Sequence, residues 1–229
     1  EKFNFDITEI EVSENGNKIK GLKRGTITSG NNLIIKANEF DFEKTSNILK
    51  LEGDVIIEDL EKNYTIFAEK VNYNKNTEII KTENNSKLVL GDEGNILANK
   101  FEYQRANDLI IAKDKVKINN KLKEYEISAE EINYLRAISK IISKGKTEAI
   151  FQSKFIFNSE DIDFLIKDNV LSSNKKTKIQ DSNSQVYFVD KFKYNIKDKI
   201  LNGKNILLIS NYNLPKSDKL FFADAIIDI

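Results

Sequence analysis

The chain has 229 residues, 36 of them basic and 36 acidic, with no cysteine, histidine or methionine. Without thiols or imidazoles no disulfide, thiolate metal site or Cys-His or Ser-His relay can form, so neither enzymatic chemistry nor a metal or cofactor is expected. Balanced charge and only three arginines, Arg24, Arg105 and Arg136, speak against nucleic acid or an anionic membrane surface as a partner.

Taken in order, one pattern recurs: Phe5-Ile7-Ile10-Val12, Ile35-Ala37-Phe40-Phe42, Ile66-Ala68-Val71-Tyr73, Ile96-Ala98-Phe101-Tyr103, Ile127-Ala129-Ile132-Tyr134, Phe157-Ser159-Ile162-Phe164 and Tyr187-Val189-Phe192-Tyr194. An eighth copy reads Phe221-Ala223-Ile226, with Asp228 at the fourth position. The starts, at 5, 35, 66, 96, 127, 157, 187 and 221, lie 30 or 31 residues apart until the segment holding the only proline, Pro215. Such regularity predicts stacked layers in one repeat domain spanning residues 1–229.

The other half of each unit repeats as well. Ile19, Leu49, Ile80, Ile110, Ile141, Leu171 and Leu201 form one apolar column, and Ile27, Ile57, Leu88, Ile118, Ala149, Ile179 and Ile209 another. Between them stand Gly53, Asn84, Asp114, Gly145 and Asn205, residues suited to a bend with positive φ, and lysines at 23 and 175. Strict alternation, as in Phe40-Asp41-Phe42, predicts strands, and clusters such as Lys44-Thr45-Ser46-Asn47 and Ser172-Ser173-Asn174 mark their ends. About fifteen antiparallel strands and almost no helix are expected.

The face changes parity within each copy. Ile35 and Ala37 are odd-numbered but Phe40 and Phe42 are even-numbered, so an undistorted strand would point the two pairs to opposite sides. A corner at Asn38-Glu39, repeated at Glu69-Lys70, Asn99-Lys100, Glu130-Glu131, Glu160-Asp161 and Asp190-Lys191, would return all four to one interior. The expected fold is a trough creased along its length, about 35 to 40 Å long at the usual strand spacing.

The segments A-N-E-F-D-F at 37–42, F-A-E-K-V-N-Y at 67–73, A-N-K-F-E-Y at 98–103 and A-E-E-I-N-Y at 129–134, with Gly53-Asp54-Val55, resemble the OstA-like repeats of the lipopolysaccharide transport family. That family includes LptA, LptC and the periplasmic part of LptD. The resemblance covers essentially the whole chain and implies an elongated, creased β-jellyroll, the β-taco. It implies a periplasmic protein associated with the outer membrane, with lipopolysaccharide as cargo. The implied partners are an LptA-like periplasmic jellyroll domain, joined by strand pairing, and an outer-membrane barrel with its lipoprotein. Within the family the N-terminal domain of LptD is the nearest expectation: the array is long for LptA, lacks the anchor expected of LptC and stops in an unfinished copy. A stand-alone LptA-like bridge is the alternative.

On that reading Phe40, Phe42, Val71, Tyr73, Phe101, Tyr103, Ile132, Tyr134, Ile162, Phe164, Phe192 and Tyr194 line a lipid-binding groove. Phe5, Ile7 and Ile10 lie on the edge strand that would meet the partner domain. Apolar alternation alone does not separate a groove from a closed solenoid core. A carbohydrate-acting or adhesive β-solenoid is the reading from another class, and its acidic candidates are Glu160-Asp161-Asp163 and Glu130-Glu131.

Overall fold

A computed structural model describes residues 2–30, 32–212 and 214–229. Among these, twenty-four strand segments fall into fifteen runs, nine of them interrupted midway, and the only helical pieces are single turns at Glu14–Gly16, Gly91–Glu93, Arg105–Asn107 and Arg136–Ile138. Runs that follow one another in sequence pair antiparallel, so the topology is a meander: Leu33–Ala37 and Glu39–Glu43 both pair with Ile48–Asp59, which pairs along its length with Tyr64–Asn74. The alternating pattern thus gives strands, as expected, in an all-β antiparallel fold.

The interruption is the corner. Ala37 and Phe40 are both buried, as are Ala98 and Phe101, although each pair is three residues apart. Ile96 at 0% and Phe101 at 4% exposure lie on the same interior. The register shows how. Val55 faces Ala68 but Glu52 faces Lys70, so Gly53 and Asp54 together oppose Glu69. One extra residue in a strand turns its side-chain phase over. The same one-residue slip separates Thr147 facing Ser159 from Ile142 facing Asp163. The backbone N–H of Asn38 donates to Gly53 O at 2.9 Å and that of Asn99 to Asp114 O at 3.0 Å, so the ladder is kept across the bend.

All five turn-prone residues named above have positive φ: Gly53 at 78°, Asn84 at 62°, Asp114 at 63°, Gly145 at 73° and Asn205 at 50°. Lys23 and Lys175 do not appear among the positive-φ residues. Lys44–Asn47 is a hairpin turn closing on a positive φ at Asn47, whereas Ser172-Ser173-Asn174 lies at the crease before Thr177–Gln180 and is not a hairpin end.

The chain forms two compact units, Glu1–Asp114 and Lys115–Ile229. In the first, one inward column runs Ile27, Ile35, Ile57, Ile66, Leu88, Ile96 from strand to strand, and on the other side of the crease another runs Ile19, Phe42, Leu49, Tyr73, Ile80, Tyr103, Ile110. In the second unit the corresponding columns are Ile127, Ala149, Phe157, Ile179, Tyr187 and Tyr134, Ile141, Phe164, Leu171, Tyr194, Leu201. Within each unit the sheet is therefore folded on itself, its two arms meeting over these columns.

The last copy needs a correction. Lys219–Asp228 pairs with Ile200–Ile209 so that Phe222, Ala225 and Ile227 face Ile206, Gly203 and Leu201. Phe221 and Ile226, predicted to point inward, are 67% and 73% exposed, and Ala223 is exposed too. The inward register of Leu201, Gly203 and Ile206 sets the phase of the strand hydrogen-bonded to it, one residue earlier than the sequence suggests.

Candidate functional site

The twelve predicted groove residues are brought together, six in each unit, and all are buried: exposures run from 0% at Tyr103 and Ile132 to 6% at Phe42. Their neighbours are one another and the opposite arm, so the interior of each unit is filled by its own side chains. Bulky and small residues interlock near the crease. Phe40 sits beside Gly21, where an added Cβ would lie 3.1 Å from the ring, and Phe192 faces Ser173 and Gly203. Phe5 faces Ile27, Ile7 packs against Gly21 and Gly25, and Ile10, facing Gly21, is exposed. No described strand pairs with the outer side of Phe3–Asp6 or Ile10–Ser13.

Aromatic rings close the arms at the rim. In the first unit Phe3 meets Phe42 at 5.1 Å and Tyr73 at 6.0 Å between centroids, and Tyr64 meets Tyr103 edge-on at 4.7 Å. In the second, Phe164 takes Tyr125 and Phe151 at 5.2 and 5.1 Å, and Tyr194 takes Phe155 and Phe157 at 5.7 and 5.2 Å. Tyr64, Tyr125 and Phe155 were not singled out from the sequence. Each stands two residues before a repeat start, as Phe3 and Leu33 do, and that shared offset was the available signal.

Polar groups also cross the rim of the first unit. Arg105, in the turn after Lys100–Gln104, reaches Asp59, at the end of Ile48–Asp59, with Nε at 3.0 Å and Nη2 at 2.6 Å from the same Oδ2. Its Nη1 donates to the Tyr73 hydroxyl at 3.3 Å and to Glu78 at 3.4 Å. The other oxygen of Asp59 accepts the backbone N–H groups of Glu61 and Lys62 at 3.1 and 2.8 Å. Lys75 Nζ makes a parallel link to Ser29 Oγ at 3.0 Å. Burial works against the Arg105 charge, but the facing Tyr64, Asp59 and Tyr73 outweigh it and hold its pKa above the usual value. Burial pushes Tyr64 and Tyr73 up, Arg105 opposing, and pushes Tyr187 and Tyr194 up to about 12 with help from Asp181 and Asp228. These phenols remain neutral at ordinary pH.

At the crease of the second unit a ladder of buried hydroxyls replaces the apolar small residues. Ser143 Oγ accepts the N–H of Ile162 at 2.8 Å and the hydroxyl of Thr147 at 2.8 Å, and Ser159 links Ser173 and Thr177 at 3.2 and 2.7 Å. They satisfy backbone groups that the bend takes out of the ladder.

Three of the five acidic candidates make structural contacts. Asp161 Oδ1 accepts Gly145 N–H at 3.0 Å, Asp163 pairs with Lys140 at 2.7 Å, and Glu131 pairs with Lys144 at 2.5 Å. Among the described residues no group of three His, Cys, Asp or Glu side chains is placed to hold a metal ion, and no helix is long and apolar enough to cross a membrane. In comparisons with known proteins, no family model matches the chain and no curated protein matches it.

Proposed function

We propose that this chain is a periplasmic lipid-binding bridge that carries lipopolysaccharide acyl chains inside its folded sheet toward the outer membrane, in the manner of the N-terminal domain of LptD. The observation that carries the reading is the parity switch: Ile96 and Phe101, and their counterparts in the second to seventh copies, reach the apolar interior of their unit from both sides of the crease. A sheet that needed only a core could bury one face of straight strands against another element. Here every layer repeats the corner, and the columns it creates are nearly uniform along each unit. A chain moving from layer to layer would meet similar surroundings, each methylene kept from water contributing about 0.8 kcal/mol.

Because the interior is filled, cargo must part the arms at the rim. The tyrosines there present an apolar body and a hydroxyl tip, which suits a boundary between chain and headgroup. The unpaired edge of Phe3–Asp6 and Ile10–Ser13 offers backbone groups to a homologous domain by strand addition, and the outer-membrane barrel with its lipoprotein would receive the cargo. A carbohydrate-acting or adhesive β-solenoid is the second reading, favoured by how completely the twelve interior residues are enclosed.

The test is photo-crosslinking in cells that make lipopolysaccharide, with benzoylphenylalanine at Phe101, at Tyr134 and at the exposed Lys87 as control. Adducts with lipopolysaccharide are expected at the two interior positions and not at the control. A folded protein that gives none at either interior position leaves the solenoid reading standing alone.

A further inference from the structure

The one ion pair described between the arms of the first unit stands where a ligand's polar end would be. We propose that Arg105 is the headgroup site for an anionic amphiphile: the guanidinium exchanges the Asp59 carboxylate for phosphate or carboxylate oxygens of a ligand whose alkyl chain enters between Tyr64 and Tyr103. The inference rests on the lipid-binding reading above and adds to it a place and a headgroup chemistry.

Four observations meet here. Arg105 retains 12% side-chain exposure while Asp59 has none, so the cation is the partner that solvent and ligand can reach. Two of its nitrogens, Nε and Nη2, converge on a single oxygen, Oδ2, so the same fork, once parted from Asp59, can make two parallel bonds to a tetrahedral or planar oxyanion. Asp59 keeps two of its hydrogen bonds through the exchange, since Oδ1 retains the N–H groups of Glu61 and Lys62. Finally, the Tyr64 and Tyr103 rings, 4.7 Å apart, join the same two arms beside the pair, Tyr64 lying within reach of the charges of both Arg105 and Asp59, so parting the ion pair and parting the rings would go together. The internal carboxylate is then a placeholder, keeping the rim shut and the cation satisfied until a ligand anion competes.

The experiment measures binding of dodecyl phosphate, dodecyl maltoside and inorganic phosphate by calorimetry, below micelle-forming concentrations, to the natural chain and to R105Q and D59N. Dodecyl phosphate is expected to bind the natural chain about tenfold more tightly than the maltoside, R105Q to remove that preference with maltoside binding retained, and D59N to strengthen dodecyl phosphate binding alone. Equal affinity for the two detergents, or a preference that survives R105Q, overturns the headgroup site while leaving interior binding intact. Binding of neither detergent removes the lipid reading itself, and the site with it. Inorganic phosphate binding as tightly as dodecyl phosphate marks a free-anion site and overturns the amphiphile. Both variants shifting both detergents alike marks a purely structural pair. If R105Q loses the cooperative urea transition, D59N decides: tighter dodecyl phosphate with unchanged maltoside supports the proposal, and any other result overturns it.

Discussion

Arg105 and Asp59 are 46 positions apart in sequence and on opposite arms, yet Nη2 and Oδ2 lie 2.6 Å apart with the carboxylate fully enclosed. A surface ion pair contributes about 0–1 kcal/mol, but this one is out of water and joined to Tyr73 and to the turn at Glu61 and Lys62. Its weight therefore lies less in net attraction than in the cost of leaving either partner alone.

Removing one partner should be far worse than removing both. D59A leaves a guanidinium facing Tyr64 and Tyr73 with only the exposed carboxylate of Glu78 beside it, and should lower unfolding free energy by about 3–5 kcal/mol in urea titrations. The double variant D59L/R105M, of similar volume and without charge, should recover most of that loss. A double variant no better than D59A would show that the turn bonds at Asp59, rather than the ion pair, hold the rim.

The crease makes a second, separable demand. Gly53 has φ of 78°, and a Cβ there would come within 2.8 Å of Asn38 Nδ2. G53V meets both the backbone penalty and the contact, and should destabilise by about 1–3 kcal/mol. Asn84, at φ of 62°, should accept glycine with little loss or a small gain. K23G, in the matching place of the first copy but absent from the positive-φ residues, should gain nothing and lose stability through the freer unfolded chain. Equal responses at Gly53 and Lys23 would mean that the corner is not built on these residues.

These contrasts explain what was legible from the residues alone. The inward columns and the corner were readable because strand pairing forces side chains into registered rows, and a repeat of 30 or 31 residues returns each row to the same place. Phe101 and Ile96 could be assigned to one interior from their spacing. The Arg105–Asp59 pair could not, because it depends on the arms closing over a rim, which no local spacing encodes. The last copy failed for a different reason: Phe221-Phe222 and Ile226-Ile227 are apolar in both phases, so only pairing with Leu201, Gly203 and Ile206 selects between them. Closure of the interior was equally hidden, since a filled core and an open groove share one alternation.

The hydroxyl ladder gives a third expectation, with an order of effects. Ser143 Oγ is the acceptor for the buried N–H of Ile162, so S143A strands that donor and should cost about 1–3 kcal/mol. Ser159 occupies the place that five other copies fill with alanine, and its partners Ser173 and Thr177 keep bonds to the carbonyls of Glu160 and Lys175. S159A should therefore cost no more than about 1 kcal/mol. Urea midpoints for the two variants check the order, and a larger loss at Ser159 would place the weight of the network on hydroxyl pairing instead of backbone satisfaction.

Alkali should loosen the second unit through its buried phenols. Tyr187 and Tyr194 hold their protons up to about pH 12 in the fold, through burial and the nearby charges of Asp181 and Asp228. A phenol in the unfolded chain releases its proton near pH 10. Between those values the unfolded state binds fewer protons than the native state, so stability is fully present below about pH 10 and falls as pH rises toward 12. Urea midpoints measured across that window should decline, and Y187F and Y194F should each flatten the decline because phenylalanine has no proton to lose. The tyrosinate absorbance should rise late in the native protein and early in urea. A native titration that matches the unfolded one would mean that these hydroxyls meet bulk water, and that the rim of the second unit stands open.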